Sequence, residues 1–278
     1  MRTSSRSAGF LATWVGLAAL VVWTLGPIAV MVFTSFKPRE EIFQTPPTLV
    51  PKRWTLDNYA YVFAHSSMPQ ALLNSVIVAL LATFITLIFC TSAGYALARY
   101  RFPASRPLAL FLLLGQMVPI TVLLLPLYQL VNSMGMLDTL VGLAITHLVI
   151  TVPLVTWMLR NQFASIPVEL EEAAQLDGGS RFDAVMYVTL PVAAPGIAAA
   201  GMYAFLQSWH EFVLASVVTS SLASRTAPVA LTYFTSEFLV DWGSSMAASV
   251  VLTVPVVIVF IALQKYFVRG LTSGGVKG

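Results

Sequence analysis

A bundle of membrane-spanning helices is the fold class this sequence predicts, and three observations carry that expectation. Of 278 residues, 58% are hydrophobic and only 10% charged, against roughly 25% charged in a soluble domain. Mean hydropathy is +0.82, so lipid is the solvent for most of the chain. The apolar residues come in runs of about 20 or more, the length a helix needs to cross a bilayer, without the ten-residue alternating segments of a membrane barrel. A single cysteine, Cys90, and a net charge of +3 leave no disulfide framework or thiolate metal site and give no footing for nucleic acid. Cys90 lies in an apolar run and reads as a buried, inert thiol.

Six spans are expected within one transmembrane domain, residues 1–278. The first, about residues 10–36, follows Arg2 and Arg6. It is too long for a signal peptide and has no small-residue cleavage site after Val30, so it reads as a retained span. Lys37 to Pro69 is polar, with Pro46, Pro47 and Trp54, and reads as an extended loop followed by an interfacial aromatic. The remaining spans fall at about 70–98, 107–131, 138–159, 196–219 and 246–268, each able to cross with tilt. Pro119, Pro126 and Pro153 remove backbone donors in the third and fourth spans and bend them. Bends that serve transport and ordinary kinks fit the sequence equally.

Six spans place both termini on one side, and the basic residues choose which. Arg2, Arg6, Arg99, Arg101, Arg106, Arg160, Arg181, Lys265, Arg269 and Lys277 then face the cytoplasm, and Lys37, Arg39, Lys52, Arg53 and Arg225 face outward. Ten against five favours cytoplasmic termini.

The segment from about 161 to 192 is then cytoplasmic. It holds five of the chain's 12 acidic residues, Glu169, Glu171, Glu172, Asp177 and Asp183. Pro167 suits a helix's first turn, the carboxylates suit its positive end, and Gly178 and Gly179 suit its exit. A helix of about eleven residues, on the order of 16 Å, is expected. Leu170, Ala173, Ala174 and Asp177 share a face on which the alanines allow close approach. Ser180 and Asp183 form a capping box for a second short helix that Pro191 ends. Together these make a finger. A helix lying at the lipid headgroups would carry lysine and arginine, whereas this one is acidic, which favours a protein partner.

Glu172, Ala173 and Ala174, three residues, Gly178, nine residues, Val188, then Leu190 and Pro191 resemble the EAA signature of ABC-importer permeases, with Val188 where isoleucine is more usual. Pro126-Leu127-Tyr128, the Gly135 to Thr139 turn, Pro153, the run from Arg160 through Pro167 and the ending from Val268 to Gly278 resemble its carbohydrate-importing, maltose-type branch. The similarity is greatest to the second permease subunit of that branch and covers essentially the whole chain. It implies a type I ABC importer fold with a cytoplasmic EAA coupling helix, in a bacterial cell membrane. It also implies a second homologous permease, two cytoplasmic ATPase subunits and an extracytoplasmic solute-binding protein. Glu171, Glu172, Ala173, Ala174, Asp177, Gly178, Leu190 and Pro191 would couple to the ATPase, and the tail residues Thr272, Gly274, Gly275 and Lys277 would touch it. No phosphate-cradling loop is present, since Gly270 to Gly275 is followed by Val276 and not by lysine. ATP and Mg therefore belong to partner subunits, and this chain binds no cofactor and is no enzyme.

Gln207, Ser208, Trp209, His210 and Glu211 interrupt the fifth span. A charge there costs at least about 2.5 kcal/mol and so faces a cavity or a partner. Gln207 and Glu211, four apart, share a face, and Trp209 offers a ring on which a sugar could stack. Alternatively, Glu211 bonds a neighbouring helix or the paired subunit. Permeases of the resembling branch commonly have asparagine in the place of His210. His147 reads as a packed, hydrogen-bonded core residue, and no residue set has metal-ligand spacing. An ion-coupled transporter would need intramembrane carboxylates, for which Glu211 is the one candidate. A membrane hydrolase would need triad partners for His147 or His210, and none is evident.

Overall fold

The computed structural model describes residues 4–103, 105–235 and 240–273. Its helices are α1 (Ser4–Ser35), α2 (Arg39–Ile42), α3 (Asp57–Ala64), α4 (Met68–Arg99), α5 (Ser105–Gly115), α6 (Ile120–Ser133) and α7 (Leu140–Ala164). Then follow α8 (Glu169–Leu176), α9 (Arg181–Asp183), a π-helical turn (Ala184–Thr189), α10 (Leu190–Trp209), α11 (Val213–Val218), α12 (Ala227–Leu231) and α13 (Trp242–Ser273). Among the described residues, five helices are long and apolar enough to cross a membrane: Thr13–Ser35, Met68–Arg99, Leu140–Ala164, Arg181–Trp209 and Trp242–Ala262.

Two expected spans are broken. The third, about 107–131, is two helices, α5 and α6, separated at Gln116–Pro119. Pro119 has φ −58° and ψ 131° and has no N–H to carry the helical ladder across, so hydrogen bonding stops there and restarts at Ile120. The fifth, about 196–219, stops at Trp209, and α11 is a separate turn and a half. Continuous helix instead extends backwards to Arg181. The sixth runs on past 268, with α13 reaching Ser273, so Thr272 is helical. Gly274, Gly275 and Lys277 lie outside the described residues.

The chain divides into two compact units, Met1–Pro69 with Leu231–Val254, and Gln70–Ala230 with Pro255–Gly278. In the first, the expected extended loop at 37–69 contains α2 and α3. Asn58 Nδ2 donates to the Ser35 and Lys37 carbonyls at 2.9 Å each, and Trp54 and Tyr59 pack on Phe36. Buried Glu41 accepts from Thr48 Oγ1 at 2.9 Å and from the Lys52 amide at 2.8 Å. The Lys52 N–H is the chief reason its carboxyl sits below the ordinary range.

In the second unit, one core joins Val78, Ala82, Val131, Leu143, Leu214 and Val218, and another joins Cys90, Val155, Leu159, Phe163, Ala193 and Ala200. Small residues let the helices meet closely, as expected where lipid gives no hydrophobic drive between them. A Cβ on Gly94 would lie 2.9 Å from the backbone of Arg160, and one on Gly196 2.4 Å from Gln162.

Candidate functional site

The expected finger is present, with a shorter first helix. Val168 occupies the N-cap in helical conformation, and α8 has eight residues rather than eleven, about 12 Å long. Pro167 stands outside the helix, and the first turn closes through the Glu171 N–H to the Val168 carbonyl at 2.9 Å. At the other end, Gly179 N–H reaches Ala174 O at 3.0 Å and Gly178 N–H reaches Gln175 O at 3.1 Å. That pairing is the Schellman arrangement. It requires a left-handed residue, and Gly178 has φ +93°. Gly179 is needed for space, since a Cβ there would fall 2.8 Å from the Ala174 carbonyl.

Ser180 and Asp183 form the expected capping box: the Asp183 N–H donates to Ser180 Oγ at 3.2 Å and the Ser180 N–H to Asp183 Oδ2 at 2.9 Å. Pro191 does not end the second helix as expected. After Asp183 the chain widens into the π turn, closed by the Leu190 N–H to the Val185 carbonyl, and continues into α10. Pro191 sits at the start of α10, where its missing donor terminates the wide turn and its fixed φ suits the α-helix that follows.

The residues expected to couple separate into two groups. Glu171 is buried: its Oε1 lies 2.7 Å from Arg99 Nε, and its Oε2 accepts from Tyr95 OH at 2.8 Å. Arg99 Nη2 also donates to Ile166 O at 3.0 Å, so α4 holds both the approach to α8 and its first turn. Glu172, Ala173, Asp177, Gly178 and Pro191 are exposed, and Ala174 and Leu190 are half-buried. Leu176, Phe182 and Tyr187 are 88%, 69% and 77% exposed. Sequence reasoning passed over these three; the available signal was large apolar side chains inside a polar, acid-rich interval.

At the fifth-span break, Glu211 caps α11, accepting the Leu214 and Ala215 N–H groups at 2.7 and 2.9 Å. Its Oε2 lies 3.4 Å from His147 Nε2, and His147 Nδ1 is 2.6 Å from Ser208 Oγ. His147 is thus packed and hydrogen-bonded, as the sequence suggested. Serine, histidine and carboxylate do meet here, correcting the expectation that His147 lacks such partners. All three are buried, and the carboxylate is committed to capping. Gln207 and Glu211 do not share a helical face, because α10 ends at Trp209. Trp209 is 1% exposed and stacked on Phe205 with ring centroids 5.8 Å apart, so its faces are not open to a sugar. His210 is exposed, with Nδ1 2.9 Å from Leu206 O.

Gln207 lines a cavity of about 350 Å³, bounded by Gly115 to Ile120, Leu123, Val149, Ile150 and Tyr203, to which Ser208, Trp209, His210 and Glu211 do not contribute. Among the described residues no cluster of three His, Cys, Asp or Glu could hold a metal.

Comparison with known proteins identifies what this arrangement belongs to. The sulfoquinovosyl glycerol transport system permease SmoH of Agrobacterium fabrum is 36% identical over 275 residues, covering 99% of this chain and 96% of its own. The trehalose transport system permease SugB of Mycobacterium tuberculosis is 36% identical over 268 residues, covering 95% and 97%. A solved chain of a bacterial ABC transporter that imports the acidic polysaccharide alginate superposes with a TM-score of 0.82 at 21% identity, over 96% of this chain and 99% of the other. Residues 90–273 match the model of the binding-protein-dependent transport system inner membrane component. This chain is a multi-pass membrane protein and belongs to that family of importer permeases.

Proposed function

We propose that this chain is one permease subunit of an ATP-driven, binding-protein-dependent sugar importer, and that its finger takes up the motion of an ATPase subunit. The observation that carries the reading is the finger's division of labour. Glu171 is tied inward to Arg99 and Tyr95 on α4, while Glu172, Ala173, Asp177, Leu176 and Phe182 are presented outward. An acidic rim around exposed apolar side chains fits a protein partner better than an anionic lipid surface. Sugar as the solute class is supported by the two permease relatives, named for trehalose and sulfoquinovosyl glycerol.

In this reading, closure of the ATPase dimer on ATP and Mg, both held by the partner subunits, pushes α8. The Arg99–Glu171 pair passes the push to α4, and the continuous helix Arg181–Trp209 carries it to the fifth-span break. A second homologous permease completes the pathway, and an extracytoplasmic binding protein delivers the solute. Both termini face the cytoplasm, where Thr272, Gly274, Gly275 and Lys277 approach the ATPase. Glu172→Lys or Gly178→Asp should leave the complex in the membrane yet uncouple ATP hydrolysis from uptake. Uptake equal to wild type in both, at equal expression, sinks the coupling role. Reporter fusions after Gly179 and after Ser221 test the orientation, and an external signal from the first reverses it.

A further inference from the structure

The cavity beside α10 is built by the break that the third span was not expected to have. The turn at Gln116–Pro119 opens one wall, Val149 and Ile150 of α7 form the second, and Tyr203 and Gln207 of α10 form the third. Its volume of about 350 Å³ falls at the lower end for small-molecule sites.

Tyr203 and Gln207 are four apart on one helix and meet at their tips, with Gln207 Nε2 donating to Tyr203 OH at 2.8 Å. That bond uses one amide proton and one phenol lone pair. The phenol proton, the Gln207 carbonyl and the Gln116 amide have no other protein partner among the described residues. Both donors and acceptors are therefore left unpaired on residues that line the same space. None of the eleven lining residues is Asp, Glu, Lys, Arg or His. An anion entering would lose its hydration with no fixed cation in return, a penalty of several kcal/mol. A hydroxyl-rich neutral molecule loses only hydrogen bonds that amide and phenol groups can replace, and the apolar Val149, Ile150 and Leu123 suit the C–H faces of a pyranose.

We propose that Gln116, Tyr203 and Gln207 form a subsite on this chain for a neutral, polyhydroxylated solute, one sugar ring in size. The inference rests on the importer reading and goes beyond it in two respects: this subunit touches the solute itself, and the solute carries no charge at that ring. Trp209, His210 and Glu211 take no part. Tyr203 and Gln207 fix the ring by paired hydrogen bonds, and Gln116 closes over it from the α5–α6 turn.

The test uses the complete complex in proteoliposomes, with its own ATPase subunits, second permease and binding protein. Labelled glucose, xylose, trehalose and maltotriose serve as neutral probes; glucuronate and sulfoquinovosyl glycerol serve as anionic ones. Uptake of a neutral probe is expected, with Gln207→Leu and Tyr203→Phe each raising its half-saturating concentration about tenfold, the effect of one lost hydrogen bond to a buried ligand. Gln116→Ala is expected to do less, and it guards against misfolding because it lies in the turn. Assembly of every variant is read by co-purification of the ATPase subunits. Unaltered uptake parameters in both α10 variants overturn the subsite while leaving the importer reading intact. Uptake of anionic probes alone overturns its neutral character. Uptake of neither set, from a complex that hydrolyses ATP, overturns the sugar-import reading beneath it.

Discussion

Two glutamates, Glu171 and Glu211, are both buried and both paired with a residue of another helix, yet they are held in opposite ways. Glu171 depends on side chains: Arg99 and Tyr95 occupy its two oxygens. Glu211 depends on backbone: two amides of α11 occupy its oxygens, and His147 adds a third, longer contact of 3.4 Å. The first arrangement ties two helices together, so removing either partner strands a charge. The second fixes a local turn, so the distant partner is the lesser part. The acid that joins two helices is bound to a guanidinium, and the acid that holds a break is bound to amides.

The largest expected effect breaks the first arrangement. Arg99→Ala or Glu171→Ala should each lower stability by about 3 kcal/mol, the usual cost of leaving one member of a buried pair alone. The double variant should cost less than the sum of the two, and thermal unfolding in detergent measures all three. Arg99→Lys should recover little, because an ammonium cannot repeat the fork that reaches both Glu171 and the Ile166 carbonyl. Equal stability of Arg99→Lys and wild type would show that the two-way guanidinium contact is not what holds α4 to α8.

Next in size, Glu211→Ala should cost about 2 kcal/mol through two unsatisfied amides at the start of α11, and His147→Gln should cost less than half of that. A larger loss for His147→Gln reverses the contrast between the two acids. Smaller again, Gly178→Ala should cost about 1 kcal/mol. Its added Cβ meets nothing within 4 Å, so only the left-handed backbone resists it.

The smallest effect is with pH. Asp138 sits at φ 58° between α6 and α7. Burial raises its pKa, but the Ser221 and Ser220 amides and the Ser224 hydroxyl outweigh that and hold it well below the ordinary carboxylate range. For groups whose folded pKa lies below the unfolded value of about 4, the stabilisation is complete above that pH and is lost as pH falls through the folded pKa. Melting temperature should therefore hold steady from neutral pH to about 5 and fall below about 4. Asp138→Asn should flatten part of that slope, and an unchanged slope excludes this acid as a contributor.

The features legible in the sequence were those decided within a few residues. Gly178 announced its left-handed exit, Ser180 and Asp183 their reciprocal cap, and the long apolar runs at 10–36, 70–98 and 138–159 their helices. What stayed hidden was decided by interruption or by distance. Pro119 marks a bend in the third span, but a run averaged for hydropathy does not register that the ladder stops altogether between α5 and α6, since Val118 and Ile120 are as apolar as their neighbours. The polar cluster at 207–211 was visible, but whether α10 continued through it depended on Glu211 turning to cap α11. The partnership of Glu171 with Arg99 joins residues 72 positions apart, and nothing local marks it. Pro191 reads from sequence as the end of a helix because proline usually breaks one, yet here it follows a turn too wide to use its missing donor.

That wide turn, Ala184–Thr189, holds a spare residue. An α-helix advances about 100° per residue, and a π turn accommodates one residue more than the α pitch allows. The helix before and after it therefore keeps its phase despite the extra residue: Phe182 is exposed on the finger, while Ala193 and Ala200 lie in the core. Deleting a single residue between 184 and 189 would let the segment relax to uniform α-helix with the finger's direction nearly unchanged, whereas deleting one from α10 itself would turn the finger by about 100° about the axis of α10. The aim of the finger is thus set by the count of residues in α10, and the wide turn is the one stretch in which a residue can be lost without changing it.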